Sequence, residues 1–302
     1  MRTKPYGMKE GFLIGGGLVL AGLMLQLSIG PVDWDAFRWP VNGIVLAVFL
    51  ALVAIAFLLR KKVYGFQFIG TYKAAVPALV YAVVLTIIMG MTRQEANGTW
   101  LTNMLSFWPF VLIYVYMAVI LGLVVLRQLK SWAAAKFSLS TFHFSLLPHL
   151  GLFLAMTSAT LGNADMQRLK MITVKGEPEW RALTSQQQIV EMPFAIELKD
   201  FIMETYDDGM PRRFASDIPI VTKTGEHIQT TVEVNKPVEV DGWKIYQYGY
   251  DTQMGAMSQT SILELVSDPW LPLVYTGIYM MLAGAVCLFA FGKKKKLTID
   301  NG

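Results

Sequence analysis

Long apolar runs alternate with short polar loops along most of the chain. An α-helix needs about 20 residues to cross roughly 30 Å of hydrocarbon, and each run has a similar length. The pattern therefore predicts six transmembrane helices, five before and one after a long polar stretch. The six runs are 12–29, 43–59, 74–91, 105–126, 144–162 and 271–291.

The polar stretch 163–270 has a different pattern, with short β-branched or alternating segments separated by turn dipeptides such as Asp241-Gly242. Such segments are typical of strands joined by tight turns. The predicted fold is an integral membrane α-helical bundle with an inserted antiparallel β-rich domain. Its parts are a five-helix region 1–162, the β-rich domain 163–270, and a last helix with a basic tail, 271–302. The strand-like segments are 170–174, 189–192, 194–205, 217–222, 227–234, 243–250 and 260–266.

Two local patterns in the polar stretch predict finer features. Tyr246, Tyr248 and Tyr250 alternate along one segment, so they share a face of the strand. We interpret that face as part of the domain core, with a surface that contacts a partner as the alternative. Asp268-Pro269 ends the last strand before the membrane, because a residue preceding proline stays extended.

Composition supports the membrane assignment. The chain is 54% hydrophobic and only 16% charged, with a mean hydropathy of +0.44, whereas soluble domains are about a quarter charged. The net charge of +4 is modest, and the lysine run 293–296 follows an apolar segment. That run resembles a membrane anchor, with lipid as its partner, so nucleic acid is not predicted as a ligand.

Basic residues predict the orientation. They concentrate in the N-terminus, in 60–73, in 127–136 and in the C-terminal tail, which lie on one side if six spans alternate. The positive-inside rule puts that side in the cytoplasm. We therefore expect a multi-pass protein of the bacterial inner membrane, with both termini cytoplasmic and 163–270 in the periplasm.

The chemistry of thiols and hydrolases is not indicated. Cys287 is the only cysteine, which leaves no disulfide, CxxC pair or CxxCH haem-attachment sequence within the chain. Gly-x-Ser-x-Gly, His-Glu-x-x-His and Walker sequences do not occur. No catalytic residue is assigned. The predicted spans contain no pair of carboxylates, which argues against a proton-coupled transporter.

His149 is the candidate functional residue. It lies beside Pro148 inside an uncharged run, where an imidazole is unfavourable without a partner. Pro148 crowds the carbonyl of Phe144, so we expect a bend that frees that carbonyl next to the imidazole. Two interpretations stay open at this point. His149 is either an axial ligand of haem iron, with its second ring nitrogen bonded to a carbonyl, or a packing residue bonded to a neighbouring helix.

The other two histidines have weaker interpretations. His143 lies six residues before His149, off its helix face, so we expect it to snorkel at the interface. His227 falls in a strand-like segment and is expected at the surface. Three scattered histidines do not fit a di-haem cytochrome b bundle, which needs facing pairs.

Two groups of aromatic and small residues have both a plain and a functional interpretation. Trp34 and Trp39 could belong to a tryptophan-rich haem platform, but aromatics at a span end favour the interfacial belt. Gly11 and Gly15 form a GxxxG spacing that allows close helix packing, although glycine is also ordinary in membrane helices.

Three ordered sequence features resemble a known family. The first is Leu147-Pro148-His149-Leu150-Gly151-Leu152, which leads into the polar stretch. The second includes Asn235-Lys236-Pro237. The third runs from Gly242 through Tyr246-Gln247 to Asp268-Pro269 and Tyr275-Thr276-Gly277. Over about 108–291 this order is similar to the ResB-like (CcsB) proteins of cytochrome c biogenesis system II.

The resemblance implies a function. Members of this family pair with a CcsA-type haem-handling membrane protein, move haem b outward and present it for attachment to apocytochrome c. An intramembrane histidine of the ResB-like subunit is an axial ligand of haem iron, and the matching position here is His149. The partner supplies the opposing ligand and a tryptophan-rich segment absent from this chain. The chain alone is therefore not expected to be a complete haem lyase.

The chain also departs from the family. Many members have four spans and a much larger outer domain, whereas six spans and a compact domain are predicted here. The two extra N-terminal helices match no family motif. A membrane scaffold that stabilises the partner or recruits apocytochrome c, without touching haem, is the alternative function. A transporter of another small molecule is poorly supported, because no inverted repeats occur.

Overall fold

The computed structural model describes residues 6–95, 98–136, 145–208 and 210–291. The chain divides into two compact units, Met1–Ala164 with Trp270–Gly302, and Asp165–Pro269. The boundaries fall next to the limits 163 and 270 that the sequence pattern suggests. Because the two units are separately compact, we describe each by itself.

The first unit is a helical bundle. In the described ranges, five helices are long and apolar enough to cross a membrane, so the chain is a multi-pass membrane protein by length and composition. The described α-helices are α1 (Met8–Ile29), α2 (Val41–Leu59), α3 (Tyr64–Ile69), α4 (Tyr72–Met91), α5 (Trp108–Ala134), α6 (Leu146–Gly162) and, after the β-rich unit, α7 (Leu271–Phe291).

The structure changes two details of the six-span prediction. α6 has 17 described residues and is shorter than the other apolar helices, so it covers about 26 Å at 1.5 Å per residue. α5 runs on to Ala134, so Arg127 and Lys130 lie on a helix and not in the predicted basic loop. Arginine, lysine and alanine are good helix formers, and long cationic side chains can snorkel out of the apolar layer.

α1 packs closely against its neighbours through glycines. A Cβ on Gly11 would lie 2.4 Å from the carbonyl oxygen of Lys73, and one on Gly15 would lie 2.3 Å from the ring of Tyr81. A Cβ on Gly22 would lie 2.5 Å from the nitrogen of Pro109 at the start of α5. The close approach that the GxxxG spacing predicts is therefore confirmed.

The second unit is an antiparallel β domain, as predicted. In the described ranges nine strands form one sheet, in the order β4-β5-β3-β2-β1-β9-β8-β7, with β6 paired to β5. The strands are β1 (Gln167–Val174), β2 (Pro178–Leu183), β3 (Ile189–Glu197), β4 (Asp200–Thr205), β5 (Pro211–Thr222), β6 (His227–Glu233), β7 (Val238–Val240), β8 (Trp243–Tyr250) and β9 (Thr260–Ser267).

The sheet curls around one apolar core. β5 pairs with β6 along one edge and with β3 and β4 along the other, so it spans most of the domain. Ile220 of β5, Val232 of β6, Ile245 of β8 and Leu263 of β9 are all fully buried. These four residues belong to the same apolar cluster. Successive side chains of a strand point to opposite faces, so an alternating sequence pattern directs one apolar face into this cluster.

The β7–β8 turn confirms the hairpin prediction. Val240 and Trp243 are paired across a two-residue loop. Asp241 has a φ of 49° and Gly242 a φ of 78°, as a type I′ turn requires. A second turn dipeptide of the polar stretch, Asp208-Gly209, lies partly outside the described residues, since Gly209 is not described.

Two strands had no clear sequence signal. β2 begins with proline and has charged residues at Glu179 and Arg181, which interrupt an apolar pattern. β7 has only three residues. The first half of β5 was also missed, because Arg212 and Arg213 precede its apolar part. Pairing with neighbouring strands, and not local composition, makes these segments extended.

The prediction that the tyrosine face forms the core is wrong for most of β8. Ile245 and Gln247 are buried, and Tyr248 is 55% exposed with the Lys170 ammonium 3.8 Å above its ring. A bulge between Gln247 and Gly249 then shifts the register, and Tyr250 turns inward to stack on Phe201 at 4.8 Å. One extra residue changes the face on which later side chains lie. The partner-contact interpretation of the outward tyrosines stays a prediction.

We predict that Ile245→Ala lowers the free energy of unfolding of the β domain by about 2–5 kcal/mol, the usual range for truncating a fully buried isoleucine. Tyr248→Ala, on the same strand, should change it by less than about 1 kcal/mol. Hydrogen exchange of the full chain, read in peptides of β8 and β9, measures both variants. Equal losses of protection would contradict the inward orientation of Ile245.

Candidate site at the first turn of α6

His149 lies at the beginning of α6 and not in the middle of an apolar span. It is the fourth helical residue, and Pro148 is the third. Proline is tolerated in the first turn, where backbone N–H groups have no partner within the helix. The expected mid-span bend is therefore absent from α6. The carbonyl of Phe144, which the bend was expected to free, lies outside the described residues.

α7 holds this first turn in place. A Cβ on Gly284 would lie 2.3 Å from Cδ of Pro148, so only a glycine leaves room for the proline ring. One turn further along α6, a Cβ on Gly151 would lie 2.5 Å from the carbonyl oxygen of Gly277. Small residues let two helices approach at backbone distance in a membrane. α7 thus fixes the position from which the imidazole projects.

The contacts of His149 determine which ring nitrogen carries the proton. Nδ1 lies 2.5 Å from the carbonyl oxygen of Ser145, and a carbonyl oxygen can only accept a hydrogen bond. Nδ1 therefore bears a hydrogen, and in the neutral ring the lone pair is on Nε2. The side chain is half-buried, and no described residue pairs with Nε2. A neutral imidazole held in this way can bind one metal atom through Nε2.

Gln128 of α5 completes the site, and sequence reasoning missed it. Its Nε2 donates to Oγ of Ser145 at 3.1 Å and lies 3.5 Å from Nδ1 of His149. Among the residues that the structure describes, its buried Oε1 has no hydrogen-bond partner. The residue falls in the stretch predicted as a basic loop, so only the extra turns of α5 bring it to α6. Gln128 fixes the helix-capping residue that in turn orients the imidazole.

The other candidates lie elsewhere. His143 is outside the described residues, and His227 is exposed at the start of β6, as expected. Trp34 donates from Nε1 to the carbonyl of Leu105 at 3.2 Å. The loop that carries Trp34 leads into α2, whose Asn42 donates to the carbonyl of Leu161 near the far end of α6. Leu161 lies about 18 Å along the helix from His149, so the tryptophan loop does not meet the histidine.

Metal binding by several protein ligands is not supported by the described part of the chain, in which no group of three His, Cys, Asp or Glu side chains could hold an ion. The site offers a single nitrogen.

The β domain has a buried polar network whose role is structural. Ser216 of β5 lies 2.6 Å from Oε1 of Gln247 on β8 and 2.8 Å from Oγ of Ser261 on β9. Gln247 also donates to the carbonyl of Gly249 at the bulge. All three side chains are buried, and no ionisable group takes part. Satisfied polar groups of this kind fix the alignment of packed strands.

Charged residues of the β domain pair on its surface. Arg213 bonds to Glu204 at 2.8 Å and to Glu233 at 2.7 Å. The hydrogen bond from Arg213, with a smaller contribution from Lys236, holds the pKa of the Glu233 carboxyl below its usual value. The Lys175 ammonium likewise lowers the pKa of Asp200. The Arg213 pairs link β5 to β4 and β6, and the Lys175 pair links the end of β1 to β4.

Similar proteins are known for part of the chain. Residues 127–262 match the model of the ResB-like family. A curated relative, "Cytochrome c biogenesis protein CcsB" of Prochlorococcus marinus subsp. pastoris, is 26% identical over 162 residues, which is 52% of this chain and 35% of the relative. The chain thus spans about a third of that relative's length. The matched family region includes Gln128, Ser145 and His149.

A solved structure, "Cytochrome c Heme Lyase CcmF", has a similar arrangement over 94% of this chain and 46% of its own length. The sequence identity is 14% and the TM-score is 0.36. A similarity at this level does not indicate a shared function.

Proposed function

We propose that this chain, whose residues 127–262 match the model of the ResB-like family, is a subunit of the system II cytochrome c synthase. In this proposal it helps to export haem across the membrane and to present it for attachment to apocytochrome c. The name of the curated relative, a cytochrome c biogenesis protein, supports the same process.

The main observation that supports the proposal is the hydrogen bond from Nδ1 of His149 to the carbonyl of Ser145. Histidines that bind metals commonly donate their second N–H to a carbonyl, which fixes the ring and raises the basicity of the ligating nitrogen. His149 has this arrangement on a turn held by α7. We infer that Nε2 is an axial ligand for the iron of the haem b substrate.

The orientation extends the proposal. The N-terminus, the α2–α4 connection and the end of α5 are rich in Lys and Arg, so the positive-inside rule assigns them to the cytoplasm. α6 would then start from the cytoplasmic side of the inner membrane and lead to a periplasmic β domain. His149, in its first turn, would lie near the side from which haem is supplied and not at mid-membrane.

A partner is part of the proposal, because the described site offers one nitrogen. A CcsA-type haem-handling protein would supply the opposing axial ligand and the tryptophan-rich segment. The synthase activity would then belong to the complex, while this chain binds, orients and passes on its substrate. Apocytochrome c would be the acceptor on the periplasmic side.

A scaffold without haem contact is the second candidate. The same Ser145 bond also satisfies His149 as a packing residue, and the exposed face with Tyr248 and Lys170 offers a surface for a partner. In that case the β domain would recruit apocytochrome c or stabilise the partner.

Complementation of a strain lacking this gene separates the two. Covalent haem staining measures c-type cytochromes, and immunoblotting confirms that each variant accumulates. We expect His149→Gln to lower the cytochromes at least about tenfold, and His227→Gln, at an exposed site, to leave them unchanged. Deletion of 163–270 should abolish them on either hypothesis. Normal maturation with His149→Gln would support the scaffold and reject the ligand role.

A further inference from the structure

A cleft of about 370 Å³ opens at the basic end of the helical bundle. It lies between the beginning of α1, the short helix α3, the beginning of α4 and the last turns of α5. Its lining includes Tyr6, Tyr64, Thr71, Tyr72, Lys73 and Arg127. All but Arg127 precede the ResB-like region, so the family match does not account for this cleft.

The cleft is positively charged. Within the described ranges, Lys73 and Arg127 line it, no carboxylate does, and neither cation forms an ion pair. Arg127 donates from Nη1 to the carbonyl of Gly70 at 3.1 Å, which orients its guanidinium and leaves other N–H groups for a ligand. The Glu10 carboxylate is not part of the lining; it accepts the backbone N–H of Gly7 and offsets part of the Lys73 charge by electrostatic attraction, so the two cations leave a net positive charge. The charge balance of the cleft therefore favours an anion.

The beginning of α4 adds to this preference. Thr71 is its N-cap residue, but Oγ1 of Thr71 donates to the carbonyl of Phe68 at 2.7 Å and no side chain caps the helix. An uncapped helix N-terminus carries partial positive charge and free N–H groups. Here it lies in the same cleft as two cationic side chains, which together suit the oxygens of a phosphate.

Packed aromatic side chains form one side of the cleft. The backbone N–H of Tyr6 donates to the hydroxyl of Tyr64 at 3.1 Å, and the two rings meet edge to face at 5.1 Å. Tyr6 also packs edge to face on Phe68 at 5.4 Å. Because the Tyr64 hydroxyl accepts from Tyr6, its own hydrogen is available for a ligand oxygen. The lining thus combines cations, hydroxyls and amphipathic rings, as at a membrane interface.

An apolar helix face continues from the cleft. Tyr72 is 67% exposed, and Val76, Leu79 and Val80 follow it at helical spacing with exposed side chains. This face would pack against hydrocarbon beside whatever group occupies the cleft. A ligand with a phosphate and acyl chains would use both surfaces, whereas free phosphate would use only the cleft.

We propose that this cleft binds the phosphate of an anionic phospholipid, with Lys73 and Arg127 contacting its oxygens. Basic pockets between transmembrane helices are suited to such headgroups, because the charge is partly desolvated and the acyl chains stay in the bilayer. The site gives the N-terminal helices a lipid-binding role that does not depend on haem.

The test uses the full chain purified in detergent and native mass spectrometry to count bound lipid during titration with phosphatidylglycerol or phosphatidylcholine. We expect the wild type to retain one phosphatidylglycerol in preference to phosphatidylcholine. The Lys73→Gln/Arg127→Gln variant should bind it at least about tenfold more weakly. The Lys61→Gln/Lys62→Gln variant removes the same charge at the same end but outside the cleft, and should stay within about twofold of wild type.

Two further measurements test whether the lost binding reflects the charge of the cleft and whether the ligand is a lipid. Lys73→Arg preserves the charge and should retain lipid, which separates loss of a contact from loss of folding. Inorganic phosphate at millimolar concentration should not displace phosphatidylglycerol, and displacement would assign the site to a free phosphate. Equal weakening in the Lys61/Lys62 variant, or no preference for phosphatidylglycerol in the wild type, would overturn the proposal.

Discussion

The His149→Gly variant, purified with the proposed CcsA-type partner, is expected to lose most of the haem Soret band, and added imidazole is expected to restore it. Removing the side chain takes away the nitrogen proposed to hold iron and leaves a space of imidazole size. Free imidazole can occupy that space and supply the same nitrogen. Absorption spectra of oxidised and reduced protein, normalised to protein concentration, measure the loss and the recovery.

Matched variants test whether the loss of the Soret band is specific to His149. His227→Gly removes an exposed imidazole in the β domain and should leave the spectrum unchanged. Gln128→Leu removes the side chain that bonds Ser145 but keeps His149, so it should shift or broaden the band and lower haem occupancy only partly. A full Soret band in His149→Gly, without imidazole, would remove this histidine from the haem site.

The second large effect is expected for Gly277→Leu, which should separate α7 from α6. A Cβ at this position would lie 2.5 Å from the carbonyl oxygen of Gly151 and 2.7 Å from the backbone nitrogen of Ala155. Both atoms belong to the helix backbone and cannot move as a side chain can. Overpacking typically costs about 1–3 kcal/mol, and we expect the upper end of that range here.

Gly17→Leu is the matched control, because a Cβ on that membrane-helix glycine meets nothing within 4 Å. The same substitution there adds a better helix former and should leave stability unchanged or slightly raised. Thermal unfolding of the full chain in one detergent compares the two variants, and hydrogen exchange in α6 and α7 locates the change. Normal α6 and α7 protection in Gly277→Leu would contradict the predicted separation of the two helices.

Gly277→Leu also connects the fold to the proposed function. Gly284 of α7 packs against Pro148, which is the residue before His149. If the α6–α7 contact positions the imidazole, Gly277→Leu should lower haem occupancy along with stability. Added imidazole should not restore the band, because the nitrogen is still present but displaced.

The element pattern was largely predictable from the sequence. Hydrocarbon thickness sets the length of apolar runs, so the starts and ends of α1, α2 and α4 fall within about four residues of their predicted limits. In the β domain, Asp241-Gly242 predicted a turn correctly because few residues accept positive φ. β2 and β7 were missed because their local composition has little strand preference.

The face assignments were harder. Alternation showed that Tyr246 and Tyr248 share a face, but not which face is buried. Ile245 decides this, because its side chain fills the core opposite Leu265 of β9. The bulge that turns Tyr250 inward depends on the pairing of β8 with β9, which no local pattern reveals.

By itself, the sequence determined the class of this protein, the positions of its apolar helices and β domain, and the choice of His149 as the candidate residue. These follow from local properties, which are hydrophobicity, charge and turn preference. Only the tertiary structure showed that His149 lies in a first turn, that Ser145 and Gln128 orient it, and that Lys73 and Arg127 share a cleft. The Ser145 contact lies within one helical turn, but the contacts of Gln128, Lys73 and Arg127 join residues of different helices, so they arise only when helices pack against one another.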